Sequence, residues 1–535
     1  MRVLSWQRVL LFGLLAAAAI VYSLPLGARN LWNQDEARMA LIAEDSLRRG
    51  FRLPARVRDE PYLNKPPLFF WSVALAGRPA GHVSERTASI PSVVSALAAL
   101  GGVFALGRHL SGRGTGLVAL AVLGTSPEFF LESHTVLPDM MMTAWMTWSL
   151  YFLLLALSGS TPAGRHLVGF YGCLAGALWT KGLPALMIVP AAVAAVTLSA
   201  GARHLPRLRP GLGFAVVGLS LLPWVIPYAL TPEHRRSQSL GLSAALRWYL
   251  DRQFHGSSIP LESALVNFLP WALWLVAALA WWRWAPDGGP YRPVWGWTLV
   301  LALLVAASVQ QRSRYALPLY PSLALLVAGA TTSASARLRA MARLHFVLVA
   351  VLGAALLGGG VWLVAALRSP SAPAADFVRS APWESVALAG LALAGTGVAL
   401  GVLWKGGAPA RAVGWLAVAL GAMLLVEAIT YPERRAAQAP VAAFAADVRR
   451  VVGPDEPLVA HPDANLAFDF YLGRTVTEEP SRAKIAQRLQ APAVGGLLLR
   501  EAGLSEIGTT PHPSWCPLAR ASLADRSYVL LGRCR

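Results

Sequence analysis

The sequence has little of what disulfide-framed, metal-ribbon or nucleic-acid-binding proteins need. Only three of its 535 residues are cysteine, too few for a disulfide scaffold or a zinc ribbon. Cys173 falls in an apolar run, whereas Cys516 and Cys534 fall in the C-terminal tail and could pair if that tail is exported. Lysine is scarce too: Lys65, Lys181, Lys405 and Lys484 stand against 43 arginines. Arginine is the default cation here, so Lys65 and Lys181 are either chance or positions that need a compact ammonium rather than a planar fork. With only 28 acidic residues the net charge is +19, which tempts a nucleic-acid reading. The distribution opposes it, because the arginines cluster in short loops between apolar runs instead of forming one basic face. No glycine-rich phosphate loop, internal repeat or low-complexity tract is visible.

What the chain has is apolar length. Residues of the apolar and aromatic types make up 55% of it, in repeated runs of about 20, the length that crosses a bilayer as a helix. The first run follows Arg2 and Arg8 and is long for a signal peptide, so it reads as an uncleaved span with Arg8 inside and Asp35 outside. Counting onward gives thirteen spans, near 8–27, 87–108, 114–127, 140–158, 167–180, 183–199, 211–230, 263–284, 293–309, 315–331, 344–367, 382–404 and 411–429. Loop charge agrees, since almost every loop placed inside carries arginine or lysine. The expected fold is an all-α polytopic membrane domain over 1–430 and a small α/β domain over 431–535. With the N-terminus placed in the cytoplasm, an odd span count puts the C-terminus outside. The tail reads as helix (Val441 to Val451), strand (Pro457 to His461), helix (Asn465 to Leu472) and strand (Gly495 to Leu499).

One outer loop, 28–86, stands apart for its charge. At its start Asp35 and Glu36 sit side by side, with Arg38 one turn on, and Met39, Ile42, Ala43 and Leu47 continue at helical spacing. Such an amphipathic helix is expected to lie on the membrane surface, apolar face down. Leu68 to Gly77 is too short to cross and is expected to dip into the outer interface. Lys65, Arg252, Arg312 and Arg314 all fall outside, against the positive-inside rule, and so point to an anionic ligand at the outer face.

Each candidate residue has an ordinary role beside a chemical one. Asp35 reads as a helix N-cap or as a general base whose pKa is set by Arg38 and burial, and Glu36 points to another face. Lys65, held by Pro66 and Pro67, reads as a snorkelling lysine or as a cation for a phosphate, with Arg252, Arg312, Arg314 and Tyr315 completing the site. Asp139 reads equally as a cap or as a functional acid, with Glu128, Glu132 and His134 nearby. Metal ligation by Glu132, His134 and Asp139 would match no strong metal spacing. Lys181, where two apolar runs meet, needs a partner or a task.

Taken in order, Asp35-Glu36-x-Arg38, Tyr62-Leu63-Asn64-Lys65-Pro66-Pro67-Leu68, Pro138-Asp139, Thr180-Lys181-Gly182 and Arg314-Tyr315-x-Leu317-Pro318 resemble the bacterial C-type membrane glycosyltransferases. The pattern is similar to that of the lipid A aminoarabinose transferases, within the protein O-mannosyltransferase superfamily, over about residues 5 to 430. The resemblance implies an inverting transfer of a sugar from a polyprenyl-phosphate donor to a lipid A-like or other envelope acceptor, on the periplasmic side of a bacterial inner membrane. The acid matching Asp35 would assist attack, and Lys65 and Arg252 would hold the lipid phosphate. Asp139, Lys181, Tyr62 and Tyr315 match further cavity positions. Aminoarabinose transferases carry an acid before the lysine and a loop histidine that together can hold zinc. Here Asn64 and Tyr249 stand there, so no metal or other cofactor is expected. Fixed cations are what a departing phosphate needs.

Two other classes compete. A transporter or flippase for an amphipathic anion would also gather cations and carboxylates, but these charges collect at one interface and no inverted repeat is seen. A scaffold merely presenting the tail would leave Asp35, Lys65 and Asp139 unexplained.

Overall fold

The computed structural model describes the chain apart from residues 1–5, 32, 160–163, 232–258, 285, 308–311, 334–335, 368–389, 391–392, 398–400, 402–408, 439, 455, 461–465, 480–483, 486–494, 502–514, 524–525 and 535. Arg252, Tyr249, Lys405 and most of the expected span 382–404 lie outside the described residues. The chain divides into two compact units. One comprises residues 1–24, 92–134 and 138–429, and the other 25–91, 135–137 and 430–535. The loop expected to belong with residues 1–430 thus groups instead with the tail.

The first unit is helical. Its elements include α1 (Trp6–Ser23), most of α4 (Glu85–Ser111), α5 (Arg113–Gly124), α6 (Pro127–Glu132), α7 (Asp139–Leu157), α8 (Gly164–Lys181) and α9 (Ile188–Ala200). Among the described residues six helical stretches are long and apolar enough to cross a membrane, at Glu85–Ser111, Asp139–Leu157, Leu183–Ala200, Ala202–Leu230, Ser313–Thr332 and Ala412–Thr430. All six fall on expected spans. Helices α7 and α8 pack along their length on a seam of small against large residues. A Cβ on Gly169 would stand 2.8 Å from Phe152, and one on Gly176 2.8 Å from Trp145. Both pairs repeat at seven residues, so glycine leaves the room each aromatic fills.

The second unit opens with α2 (Gln34–Arg49), the hairpin β1 (Arg56–Val57) and β2 (Glu60–Pro61), and α3 (Leu68–Gly77). The ends of α2 suit a helix dipole: Asn33 caps it, Asp35 and Glu36 fill the first turn, and Arg48 and Arg49 the last. Glu44–Arg48 and Asp45–Arg49 ion pairs at i,i+4 support its middle. Its apolar stripe does not lie open to a membrane as expected. Ala37, Met39, Ala40, Ile42 and Ala43 are all 0% exposed, because α3, the hairpin and the tail helix Ala467–Leu472 cover them. Burying side chains such as Met39 and Ile42 contributes about 1.5–3 kcal/mol each.

The tail forms a five-stranded mixed sheet in the order β4-β3-β5-β7-β6, made of β3 (Leu458–Ala460), β4 (Thr477–Glu478), β5 (Gly496–Arg500), β6 (Trp515–Leu523) and β7 (Arg526–Arg533). Strands β4, β3 and β5 run parallel, and β7 is antiparallel to both β5 and β6. The four elements read from the sequence fall within two residues of where they were expected. The closing pair β6–β7 was not foreseen, although Cys516 and Cys534 are joined across its open end by a disulfide. Period-two alternation splits the sheet's core. Leu458, Ala460, Leu498 and Leu530 face the helices Val441–Val451 and Ala467–Leu472, together with Ala37 of α2. Val459, Leu497, Leu499, Val529 and Leu531 form a separate cluster on the other face.

Candidate active site

In the second unit the structure brings together Asp35, Arg38 and Tyr62. The Asn33 side chain accepts from the Asp35 backbone N–H at 2.9 Å, so capping, one of the two roles open to Asp35, falls to its neighbour. The spacing Asn33-x-x-Glu36 is that of a capping box and could have flagged this. The Asp35 carboxylate accepts from Arg38 at 2.7 Å, with the two side chains 31% and 23% exposed. Tyr62 is buried beside this pair, and both of its charges act on the phenol. Burial pushes the Tyr62 phenol up to about 12, Asp35 adding to the rise and Arg38 opposing it. Lys65 follows at half burial on the Pro66-Pro67 turn into α3, and Asn64 beside it is exposed.

Glu36 is the residue that sequence reasoning undervalued. It is 2% exposed, pairs with the Arg29 guanidinium through both oxygens and accepts from the Val136 backbone N–H at 2.8 Å. It therefore ties the start of α2 to the segment 135–137. Nothing in the spacing of 29, 36 and 136 could have shown this.

In the first unit the structure brings together Asp139, Lys181 and Tyr315. Asp139 opens α7 and Lys181 closes α8, so each charge sits at the helix end that favours it. Gly182, at φ +72°, accommodates the left-handed turn that ends α8. Lys181 Nζ donates to Asp139 Oδ1 at 2.6 Å, with the side chains only 10% and 5% exposed. Asp139 stands in the first turn of α7, directly after Pro138 at the N-cap position. Lys181 also stands 4.6 Å from the centroid of the Tyr315 ring, against which Arg314 stacks at 5.6 Å. Arg314 and Tyr315 lie on the 3-10 turn Ser313–Leu319, which packs on α7. Arg312, just before it, is exposed.

The metal set Glu132, His134 and Asp139 is not assembled. His134 is buried with its ring nitrogens 2.9 Å from the Phe130 carbonyl and 2.8 Å from the Tyr22 carbonyl, and Asp139 is taken by Lys181. Among the described residues no three His, Cys, Asp or Glu side chains group as metal ligands. Glu128 is buried and accepts from Asn267 at 3.2 Å.

The fold is similar to that of several solved structures. ArnT from Cupriavidus metallidurans, solved bound to undecaprenyl phosphate, matches with a TM-score of 0.77 at 19% identity, covering 97% of each chain. Its apo state matches at 0.79 and 18% identity, again covering 97% of each. The Archaeoglobus fulgidus oligosaccharyltransferase AglB matches at 0.51 and 10% identity, covering 94% of this chain and 70% of that one.

In sequence, residues 64–226 match the family described as dolichyl-phosphate-mannose-protein mannosyltransferase. The undecaprenyl phosphate-alpha-4-amino-4-deoxy-L-arabinose arabinosyl transferase of Pectobacterium carotovorum is 28% identical over 369 residues, covering 65% of this chain and 65% of that protein. The protein of the same name from Edwardsiella ictaluri is 29% identical over 331 residues, covering 59% of this chain and 58% of its own. The matched region is thus 58–65% of these relatives' length. The likeness agrees with the resemblance carried by the five sequence motifs.

Proposed function

We propose that the protein is an inverting glycosyltransferase of a bacterial inner membrane, moving a sugar from a polyprenyl-phosphate donor to a lipid A-like or other envelope acceptor. The observation that carries this reading is the Asp35–Arg38–Tyr62 cluster. It presents a partly exposed carboxylate paired with the Arg38 guanidinium at the start of a helix whose N-cap is Asn33. Asp35 takes the acceptor hydroxyl's proton as that oxygen attacks the anomeric carbon from the face opposite the phosphate. The bond from the anomeric carbon to the phosphate oxygen breaks, its electron pair leaves with the lipid phosphate, and the configuration inverts.

A diester monoanion thereby becomes a monoester dianion, so fixed cations stabilise the transition state more than the ground state. The reading assigns that work to Lys65, Arg252, Lys181 and Arg314, and a supporting part in donor binding to Tyr62 and Tyr315. It makes Asp139 the residue that holds Lys181 in place. This chemistry requires no metal. Thirteen spans, a cytoplasmic N-terminus, and a tail and site on the periplasmic side complete the proposal.

The test is transfer of label from polyprenyl-phosphate sugars, in liposomes with a lipid acceptor, comparing the native protein with Lys65→Ala. Transfer that falls by about 10²–10³-fold in the variant, the usual loss for one transition-state charge contact, supports the reading. Donor that crosses the bilayer without transfer replaces it with a transporter.

A further inference from the structure

The short tail helix Ala467–Leu472 has the two loop ends that flank the candidate acid in its grip. Asp469 is 3% exposed and receives a two-pronged bond from Arg58, Nε to Oδ2 at 2.6 Å and Nη2 to Oδ1 at 2.9 Å. Its Oδ1 also accepts from the Val476 N–H at 3.4 Å. Arg58 and Asp59 form the tip of the β1–β2 hairpin and both have positive φ, +53° and +62°. Two non-glycine residues in that region need outside support, and the Asp469 pair provides it. The ladder runs on from Tyr62 N–H to the Ala55 carbonyl at 2.7 Å. The hairpin's placement thereby fixes where Tyr62, and Lys65 three residues later, emerge.

Two residues along the same helix, the Tyr471 hydroxyl accepts from the Leu31 N–H at 2.7 Å. It also bonds Glu85, and burial raises its pKa. Leu31 stands two residues before the Asn33 cap of α2. Between these two anchors, Ala37 and Leu41 of α2 pack into the core that contains Phe468 and Leu472. Contacts at 31, at 37 and 41, and at 58 bracket Asp35 and Arg38 in sequence, and Tyr62 follows four residues after the last of them.

We infer that Asp469 and Tyr471 are positioning residues for the candidate active loop, and that the tail is built into the site's scaffold. The inference rests on the roles proposed above for Asp35 and Lys65. It also changes what a tail exchange would measure. An unrelated domain in its place would release both loop anchors, so lost transfer would report on the loop and not on acceptor choice.

The test uses the full chain in detergent or nanodiscs, with Asp469→Ala, Tyr471→Phe and the charge swap Arg58→Asp/Asp469→Arg. Two readouts are taken together: transfer kinetics with labelled polyprenyl-phosphate sugar, and hydrogen exchange along the chain. For Asp469→Ala the expectation is a kcat lower by about 10²-fold, the scale for a reacting group displaced by 1 Å, with the donor KM within about twofold. Exchange should quicken in 29–38 and 56–65 while β6–β7 keeps its protection, and the charge swap should recover part of kcat.

Tyr471→Phe keeps the ring's packing, so it decides the matter if Asp469→Ala fails to fold. It should quicken exchange around Leu31 and lower kcat. Unchanged exchange at both loop segments in Tyr471→Phe, or a loss of protection spread evenly over the tail, overturns the inference. If the native protein transfers nothing, the proposed function falls, while the exchange pattern still decides whether the tail anchors the loop.

Discussion

Two acid–cation pairs of almost equal length stand in the two units, and they do different work. Lys181 and Asp139 are 2.6 Å apart and shut away, 10% and 5% exposed, with an aromatic ring against the ammonium. Arg38 and Asp35 are 2.7 Å apart and about a quarter to a third exposed. Taking two charges out of water is costly, and the closed pair persists because each partner neutralises the other. An open pair contributes little to stability, since water competes for both groups. The same contact length therefore marks a closed pair in one place and a partly exposed carboxylate in the other. The closed pair holds a lysine still. The open pair leaves its acid partly exposed.

The largest effect that this contrast requires is on activity at the open pair. Asp35→Asn removes the proton acceptor and keeps the shape, so transfer from labelled donor should fall by roughly 10²–10⁴-fold. Its thermal transition should hardly move, because an exposed pair is worth at most about 1 kcal/mol. An Asp35→Asn protein with full kcat would leave the open pair without a chemical role and end the contrast.

The closed pair should behave in the opposite way. Lys181→Met strands a buried carboxylate and should destabilise the membrane part by about 3–5 kcal/mol, as should Asp139→Leu. Combining the two should cost less than either alone, because no unpaired charge is left behind. Thermal unfolding of the three variants in one detergent measures this. Equal, additive losses would mean that the pair is hydrated and the contrast is only apparent. A smaller effect is expected at the rim of the tail sheet. Reduction of Cys516–Cys534, whose separation is 18 residues, should cost about 3 kcal/mol on the loop-entropy scale, read as a lower midpoint for tail unfolding under reductant.

How much of this was legible depends on the distance along the chain over which each feature is written. Spans were legible because apolar length is local: all six candidate helices fall where the hydropathy of the sequence puts them. The ten-residue helix Leu68–Gly77 was readable to the residue, since Pro67 starts it and glycine ends it. The pairing of Asp139 with Lys181 was half legible. A lysine where two spans meet had to find a partner, but which one is fixed by the antiparallel packing of α7 on α8.

The amphipathic stripe of α2 was legible and its cover was not, because a membrane and a protein core both accept Met39 and Ile42. Wholly hidden were Glu36 with Val136, Arg58 with Asp469 and Leu31 with Tyr471. These pair residues 100, 411 and 440 apart, and no local pattern encodes such distances. The strands β6 and β7 escaped notice because their exposed residues, among them Arg520 and Arg526, break the apolar run that marked β3 and β5.

The finest prediction concerns the direction of one titration. Tyr62 lies beside the open pair, and its phenol stands at about 12 against the ordinary 10.0. Burial is the main cause, Asp35 disfavours the phenolate, and Arg38 favours it. A raised pKa means that the folded state holds this proton more tightly than the unfolded state does. The associated stability is therefore whole below pH 10 and is lost as pH rises from 10 through 12. Ultraviolet difference titration against Tyr62→Phe isolates the group. Arg38→Leu removes the one cause that lowers it and should move the midpoint up. Asp35→Asn removes a cause that raises it and should move the midpoint down. Shifts of opposite sign are what an open and still electrostatically coupled cluster requires. If neither substitution moves the midpoint, Tyr62 is raised by burial alone, and the acid and the phenol cannot be counted as one site.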